Sequence, residues 1–234
     1  MIAERSTLLG LDTAGASCSV AIMRDGEVLA NRLEEMRRGQ SERLLPIVQN
    51  VLDETGLELL DIDGFVTTIG PGGFTGVRIG LAAAQGFSLA CNKPLVGVTN
   101  FEALARAVPE EERIPGQIIT VMIDAKRADI FIQCFDEKLQ PLTGPFAAAP
   151  DQIDAQLPSG TLLLVGDGVD QAEETLRQSD RCIVISKTRP KVDAKYLLAK
   201  AHEENLFSQL KVRLKPLYLR APDVSLPKKK QITP

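Results

Sequence analysis

The sequence contains few of the residues that build metal sites and disulfides. Its 234 residues include one histidine, His202, and four cysteines that lie far apart, namely Cys18, Cys91, Cys134 and Cys182. Metallopeptidase motifs and paired-histidine metal sites need at least two histidines, so the single histidine excludes both classes. Without a CxxC pair, zinc sites and disulfide frameworks are disfavoured, and we expect a reducing, cytoplasmic environment. We expect His202 to lie on the surface of a helix.

The chain also lacks a long apolar run and an excess of basic residues. No apolar stretch approaches the ~18 residues that cross a membrane, and residues 1–10 do not form a signal peptide. The formal net charge is −4, which is unlike a dedicated nucleic-acid binder but compatible with a complex in which another chain holds the nucleic acid. The tail 221–234 carries Lys228-Lys229-Lys230 and is expected to be mobile, or alternatively to contact phosphate.

Hydrophobic patterning predicts the elements of the first half. Apolar residues at helical spacing predict a helix over Gln40–Thr55 that starts near residue 42 or 43, with Pro46 in its first turn and Gly56 as its stop. The remaining predictions are strands at 7–13, 18–23, 27–31, 65–69 and 95–98, and helices at 77–91 and 100–107.

The second half repeats the opening of the first. In each, an apolar strand ends at an aspartate, Asp12 or Asp124, and a short turn leads to a returning strand. This pattern favours a duplicated unit that opens two related α/β domains, although strand–Asp–turn is common enough to arise by chance. The predicted elements are strands at 118–123, 130–135, 162–165 and 183–185, and helices at 169–178 and 193–207.

A glycine-rich loop, Gly70-Pro71-Gly72-Gly73-Phe74-Thr75-Gly76, joins a strand to a helix. Backbone N–H groups and the helix dipole can meet an anion there. The loop is neither a Walker A motif nor GxGxxG, because Thr75 stands at the third glycine position. Two interpretations stay open: a tight turn that brings the helix close to the sheet, or a phosphate site. The residues that would lie near a nucleotide or phosphate are Asp12, Gly70, Gly72, Gly73, Thr75 and Gly76.

The two strand-end aspartates allow a similar choice. Carboxylates there either hold Mg²⁺ beside a phosphate or cap neighbouring turns. Lys126 and Arg127 directly follow Asp124 and would compete with a cation.

The helix after the loop carries small residues every four positions, at Gly76, Gly80, Ala84 and Ser88. Each glycine costs a helix roughly 1 kcal/mol relative to alanine, so packing should offset Gly80 and Gly86. Packing against the chain's own sheet or against a partner's helix would offset this cost equally well.

Several strings together resemble the TsaB (YeaZ) family of bacterial tRNA threonylcarbamoyladenosine biosynthesis proteins over roughly residues 7–220. They are Leu9-Gly10-Leu11-Asp12-Thr13-Ala14, Cys18-Ser19-Val20-Ala21, Ser41-Glu42-Arg43-Leu44-Leu45-Pro46, the stretch from Gly70 to Gly80, and Pro216-Leu217-Tyr218-Leu219-Arg220. Gly73 stands where the family usually has serine, which removes one hydroxyl.

The resemblance implies an α/β fold of two actin-like (ASKHA, ribonuclease H-like) subdomains, each a mixed sheet flanked by helices. We expect these over residues 1–105 and 106–220. It implies a non-catalytic subunit of the complex that forms N6-threonylcarbamoyladenosine at position 37 of tRNAs reading ANN codons, from threonylcarbamoyl-adenylate. The partners would be the catalytic paralogue TsaD and the ATPase TsaE. This chain would form a homodimer when alone and would meet tRNA only through the complex.

The family resemblance also implies no cofactor for this chain, with ATP/ADP and a metal in the partner subunits. The paralogue's HxxxH metal ligands correspond here to Asn100 and Leu104, and leucine cannot bind metal. The partner interface would use the two N-terminal-subdomain helices, at Leu44, Leu45, Ile47, Val48, Val51, Val77, Gly80, Leu81, Ala84 and Ser88. The alternative is a phosphotransferase or ATPase of the same fold acting on its own, for which the chain lacks an obvious set of residues.

Overall fold

The computed structural model describes residues 6–188, 191–209 and 214–220, and the predicted mobile tail at 221–234 lies outside them. The N-terminal half forms a five-stranded mixed sheet, sheet 1, with the order β3-β2-β1-β4-β5. Strand β2 pairs antiparallel with β1 and β3, whereas β1, β4 and β5 run parallel. The strands are β1 (Thr7–Asp12), β2 (Ser17–Arg24), β3 (Glu27–Glu35), β4 (Gly64–Thr68) and β5 (Leu95–Val98).

The second half builds sheet 2 with the same connections, in the order β10-β9-β6-β7-β8. Its strands are β6 (Ile118–Asp124), β7 (Ile130–Phe135), β8 (Phe146–Ala148), β9 (Leu162–Val165) and β10 (Ile183–Ile185). Asp12 and Asp124 are the last residues of β1 and β6, the equivalent central strands. The predicted duplication and the α/β fold of two actin-like subdomains are confirmed. The three-residue β8 was not predicted, because it is too short to show alternation.

The described residues also form five α-helices: α1 (Gln40–Thr55), α2 (Phe74–Cys91), α3 (Asn100–Arg106), α4 (Val169–Gln178) and α5 (Ala194–Glu203). The prediction that α1 starts at residue 42 or 43 is wrong. The N–H groups of Glu42 and Arg43 donate to the Gly39 carbonyl, so the first turn forms earlier and Pro46 lies in the second turn. Gly56 ends α1 as predicted, in the left-handed conformation with φ +64°.

Helices α2 and α5 also differ from their predicted bounds. Helix α2 begins at Phe74 rather than residue 77, because the Val77 N–H donates to the Gly73 carbonyl at 2.9 Å and closes a turn there. Helix α5 ends at Glu203, before Asn205 takes a positive φ of 46°. A separate 3-10 helix over Leu206–Gln209 follows.

The helices and the two sheets enclose three hydrophobic cores, one between the sheets and one on the outer face of each sheet. Helices α1 and α2 cover the outer face of sheet 1, and α4 covers the outer face of sheet 2. Between the sheets, α3 and α5 share one core with both of them, built from side chains such as Val66, Phe101, Val121, Phe135, Leu197 and Leu198.

The two inner helices exchange sheets. Helix α3, from the first half, packs on β6 and β7, whereas α5, from the second half, packs on β1, β2 and β4. The expected boundary after residue 105 lies within α3, a helix of the first half that packs on sheet 2, so the two inner helices hold the two halves together. Within the described ranges, no helix combines the length and the apolar character needed to cross a membrane.

Candidate functional site

The glycine-rich loop packs on the turn between β1 and β2. A Cβ on Gly76 would lie 2.2 Å from the Thr13 carbonyl oxygen, and one on Gly72 would lie 2.6 Å from that of Ala14. The Gly73 N–H donates to the Ala14 carbonyl at 2.8 Å. The structure therefore gives these glycines the role of a tight turn, in which they allow two backbone segments to touch. The N–H of Gly73, which would face a phosphate, is used inside the chain.

The Asp12 carboxyl is enclosed at the end of β1. Its Oδ1 accepts hydrogen bonds from Thr68 Oγ1 at 2.5 Å and from the Ala14 N–H at 3.1 Å, and the side chain has no solvent exposure. Its Oδ2 has no hydrogen-bond partner in the described chain. Burial raises the pKa of Asp12 to about 6, with a smaller contribution from the negative charge of Asp193. Asp12 thus serves as a buried anchor between β1 and β4.

In the second subdomain the equivalent aspartate already has a cation. Lys126 Nζ lies 2.7 Å from Asp124 Oδ2 and 3.4 Å from Asp167 Oδ2, and Asp167 Oδ1 accepts from the Asp124 N–H at 2.8 Å. Partial burial alone would raise the pKa of Asp124, but the hydrogen bonds and charge of Lys126 lower it below its usual value. The Lys126 ammonium stands where a metal ion would have to bind.

The residues that correspond to the paralogue's metal ligands do not fit a metal. Asn100 begins α3, and its buried Oδ1 has no partner among the described residues, while Leu104 is buried in the core between the sheets. Leu104 offers no ligand atom. In the described part of the chain, no group of three or more His, Cys, Asp or Glu side chains is placed to hold a metal.

Most of the predicted partner-interface residues are buried inside this chain. Gly80 illustrates the cause, because a Cβ there would lie 2.8 Å from Thr13 Oγ1, so the chain's own sheet fills the small face of α2. Ser88 is half-buried and donates to the Lys93 carbonyl at 2.6 Å, which leaves Leu45, 58% exposed, as the one predicted contact fully on the surface. The residues that were predicted to contact a partner but are buried inside the chain are Leu44, Ile47, Val48, Val51, Val77, Gly80, Leu81 and Ala84.

The exposed side of α2 carries small residues for which the sequence left open packing against a partner's helix, together with Leu89, which the sequence did not indicate. Leu89 is 84% exposed, and Ala82, Gly86 and Ala90 lie on the surface with it. A Cβ on Gly86 would meet no atom of the described chain within 4 Å. Ala82, Gly86 and Ala90 follow the same four-residue spacing as the buried stripe, and Leu89 directly precedes Ala90.

Comparisons with known proteins agree on one relationship. The family model described as "TsaD: tRNA N6-adenosine threonylcarbamoyltransferase" matches residues 27–214. The chain is 30% identical to the tRNA threonylcarbamoyladenosine biosynthesis protein TsaB of Haemophilus influenzae, over 93% of this chain and 94% of that one. It is 36% identical to the protein of the same name in Escherichia coli, over 53% and 52%. The solved structure of YeaZ from Pseudomonas aeruginosa superimposes with a TM-score of 0.77 at 25% identity, covering 92% of this chain and all of that one.

Proposed function

Because the chain belongs to the TsaB family of tRNA threonylcarbamoyladenosine biosynthesis proteins, we propose that it is the non-catalytic subunit of the complex that forms this nucleoside at position 37 of tRNAs reading ANN codons. It binds and supports the catalytic paralogue TsaD and works with the ATPase TsaE in the cytoplasm. ATP or ADP and the metal belong to those partners.

The internal pairing of the nucleotide-site elements supports the non-catalytic role. In both subdomains, the strand-end aspartate is committed to the chain's own groups, Asp12 to Thr68 and Asp124 to Lys126. The glycine-rich loop is likewise occupied by the β1–β2 turn. A phosphate at the Gly73 N–H or an ion beside Asp124 would have to displace contacts that stabilise the fold, whereas Asp12 Oδ2 has no partner among the described residues. This is the observation that carries the proposal.

The exposed side of α1 and α2 supports the partner role. We name this surface the helix face and define it by Leu45, Ala82, Gly86, Leu89 and Ala90. Its small residues permit close approach of a second helix, and Leu45 and Leu89 supply apolar area. Gly86 costs α2 roughly 1 kcal/mol relative to alanine, and no atom of the described chain packs against it to offset that penalty. A partner's helix would offset it.

The same face allows two copies of the chain to pair when TsaD is absent. An isologous pair about a two-fold axis would place each helix face on its equivalent. Competition between self-pairing and TsaD binding follows, because one surface serves both.

Reconstitution tests the proposal. The full chain, TsaD and TsaE are purified separately and mixed with ATP, threonylcarbamoyl-adenylate and an unmodified tRNA that reads an ANN codon. Modified nucleoside should form only when this chain accompanies TsaD, and this chain alone should turn over neither ATP nor threonylcarbamoyl-adenylate. Metal-dependent turnover by the isolated chain would instead establish the phosphotransferase or ATPase alternative.

A further inference from the structure

Two aromatic side chains and an arginine form an exposed cluster beside the glycine-rich loop. Of the ten aromatic residues in the chain, all of them described, only Phe74 and Tyr218 are exposed, by 47% and 43%. Their ring centroids are 5.7 Å apart at an interplanar angle of 31°. The Arg78 guanidinium lies over the Phe74 ring with its Cζ 3.3 Å from the centroid, and 5.7 Å from the centroid of Tyr218. None of these three side chains belongs to the helix face that we propose to bind TsaD or a second copy of the chain.

Three loops lie together at this end of sheet 1. The loop before α1 contacts the β1–β2 turn, since the Met36 N–H donates to the Ala16 carbonyl at 3.1 Å. The glycine-rich loop contacts the same turn from its other side. The segment 214–220 joins them, because the Leu217 N–H donates to the Ile69 carbonyl at 2.7 Å. Residues distant in sequence are thereby gathered at one end of sheet 1.

The gathered loops are basic in a chain that is acidic overall. Residues 36–41, 69–78 and 214–220 contain five basic residues and no acidic one. Four of the five, Arg37, Arg38, Arg78 and Lys215, are exposed and form no ion pair among the described residues. Among the described residues, these three segments therefore surround the exposed rings with net positive charge.

Exposed rings combined with unpaired arginines and lysines match the chemistry of single-stranded RNA. Unstacked bases stack on aromatic rings and guanidinium planes, while the cations bind the phosphates. Double-stranded RNA could bind the cations through its phosphates, but its bases would not stack on the exposed rings because they remain stacked within the duplex. An apolar protein partner would gain little from four unpaired cations, which it would have to desolvate.

We propose that the surface formed by Arg37, Arg38, Phe74, Arg78, Lys215 and Tyr218, the loop surface, binds a single-stranded loop of the tRNA directly. This inference rests on the proposed function, since membership of a tRNA-modifying complex supplies the RNA. It departs from the expectation that the chain meets tRNA only through its partners.

The test measures binding of a fluorescently labelled transcript of a tRNA that reads an ANN codon. The full chain is used in complex with TsaD, and the salt concentration is varied from about 50 to 200 mM. One variant, Phe74→Ala with Tyr218→Ala, removes the rings. A second, Arg37→Glu with Arg38→Glu, reverses loop charges. The control, Lys138→Glu with Lys187→Glu, changes the net charge equally at two exposed sites that follow β7 and β10.

The two variants should fail in different ways. Loss of the rings should weaken binding at least about fivefold and leave the salt dependence unchanged, since stacking is not ionic. Loss of the two arginines should weaken binding more than about tenfold at low salt and reduce the slope of log association constant against log salt by about 1.4. The control should bind within about twofold of the unaltered complex.

The failures of the two proposals are distinguishable in the same preparations. Unchanged tRNA affinity in both variants, while they still co-elute with TsaD, would overturn the loop surface and leave the proposed function standing. Variants that lose TsaD instead would show that the surface is a protein interface, which also overturns it. Absence of a complex with the unaltered chain would count against the proposed function itself.

Discussion

Asp193, at the start of α5, accepts a hydrogen bond from Ser19 of β2, with Ser19 Oγ 3.2 Å from Asp193 Oδ1 although 174 residues separate them in sequence. Asp193 Oδ2 also accepts from Asn31 Nδ2 at 3.1 Å, and Oδ1 caps α5 through the Lys195 N–H. One carboxylate therefore starts the helix and fixes it to sheet 1.

Replacing that carboxylate should destabilise the whole molecule. Asp193→Ala removes the N-cap of α5 and leaves the Asn31 amide without its acceptor, so the free energy of unfolding should fall by about 2 kcal/mol. Chemical denaturation followed by circular dichroism measures this. The exposed Asp151→Ala is the control and should change stability by less than about 0.5 kcal/mol. Equal stability of the two variants would mean that α5 is held by its apolar contacts alone.

The two types of glycine in α2 should respond oppositely to a methyl group. Gly76→Ala places a Cβ against the Thr13 carbonyl, so the backbone must shift and stability should fall by about 2 kcal/mol or more. Gly86→Ala meets no atom of the described chain and should stabilise α2 by about 0.5–1 kcal/mol. Thermal unfolding of both variants decides the matter. A stabilised Gly76→Ala would show that the loop does not pack as described.

The stability of the chain should depend on pH through Asp12. Its folded pKa of about 6 lies above the ordinary 3.8, so the folded state favours the protonated form. Below about pH 4 the carboxyl is neutral in both states, and as pH rises to 6 the folded state loses stability relative to the unfolded one. Asp12→Asn keeps a neutral side chain, so above pH 6 it should be more stable than the unaltered chain by about 1–3 kcal/mol.

Denaturation curves at pH 4 and pH 7.5 test this prediction. The difference between Asp12→Asn and the unaltered chain should be small at pH 4 and largest at pH 7.5. A constant difference across that range would show that Asp12 does not titrate between the two values.

Charges on the helix face should abolish complex formation without unfolding the chain. Leu45→Asp with Leu89→Asp places two carboxylates on this exposed surface, so co-elution with TsaD should be lost while the circular dichroism spectrum stays unchanged. Leu142→Asp, at a residue 49% exposed before β8, is the matched control and should co-elute normally. Intact co-elution of the double variant would move the interface elsewhere.

A charge on the buried side of the same helix should act differently. Val48 is 5% exposed in the core beneath α1, so Val48→Asp buries an unpaired carboxylate and should unfold the chain rather than block only the partner. Loss of the circular dichroism signal at 25 °C is the expected result. A folded Val48→Asp that fails to co-elute with TsaD would return this residue to the interface.

Most of the strands and helices, and their duplication, follow from local properties of the sequence. Strand runs ending at Asp12 and Asp124, helical spacing over Gln40–Thr55 and Gly56 as its stop are local properties, and propensity and periodicity encode them. The motif strings also identified the family, because they combine many residues at fixed spacing. The start of α2 was missed, since a hydrogen bond to the Gly73 carbonyl leaves no trace in hydrophobic periodicity.

Which face of each helix is free, and which sheet each helix covers, depends on how the elements pack in three dimensions. The hydrophobic effect is non-directional, so the apolar residues of α5 do not indicate in the sequence whether the helix packs on sheet 1 or on sheet 2. For the same reason, Gly80 and Gly86 look alike in the sequence. In the structure Thr13 lies against Gly80, whereas no atom of the described chain lies against Gly86. The loop surface arises in the same way, because the loops that carry Arg37, Phe74 and Tyr218 come to one end of sheet 1 only when the chain folds.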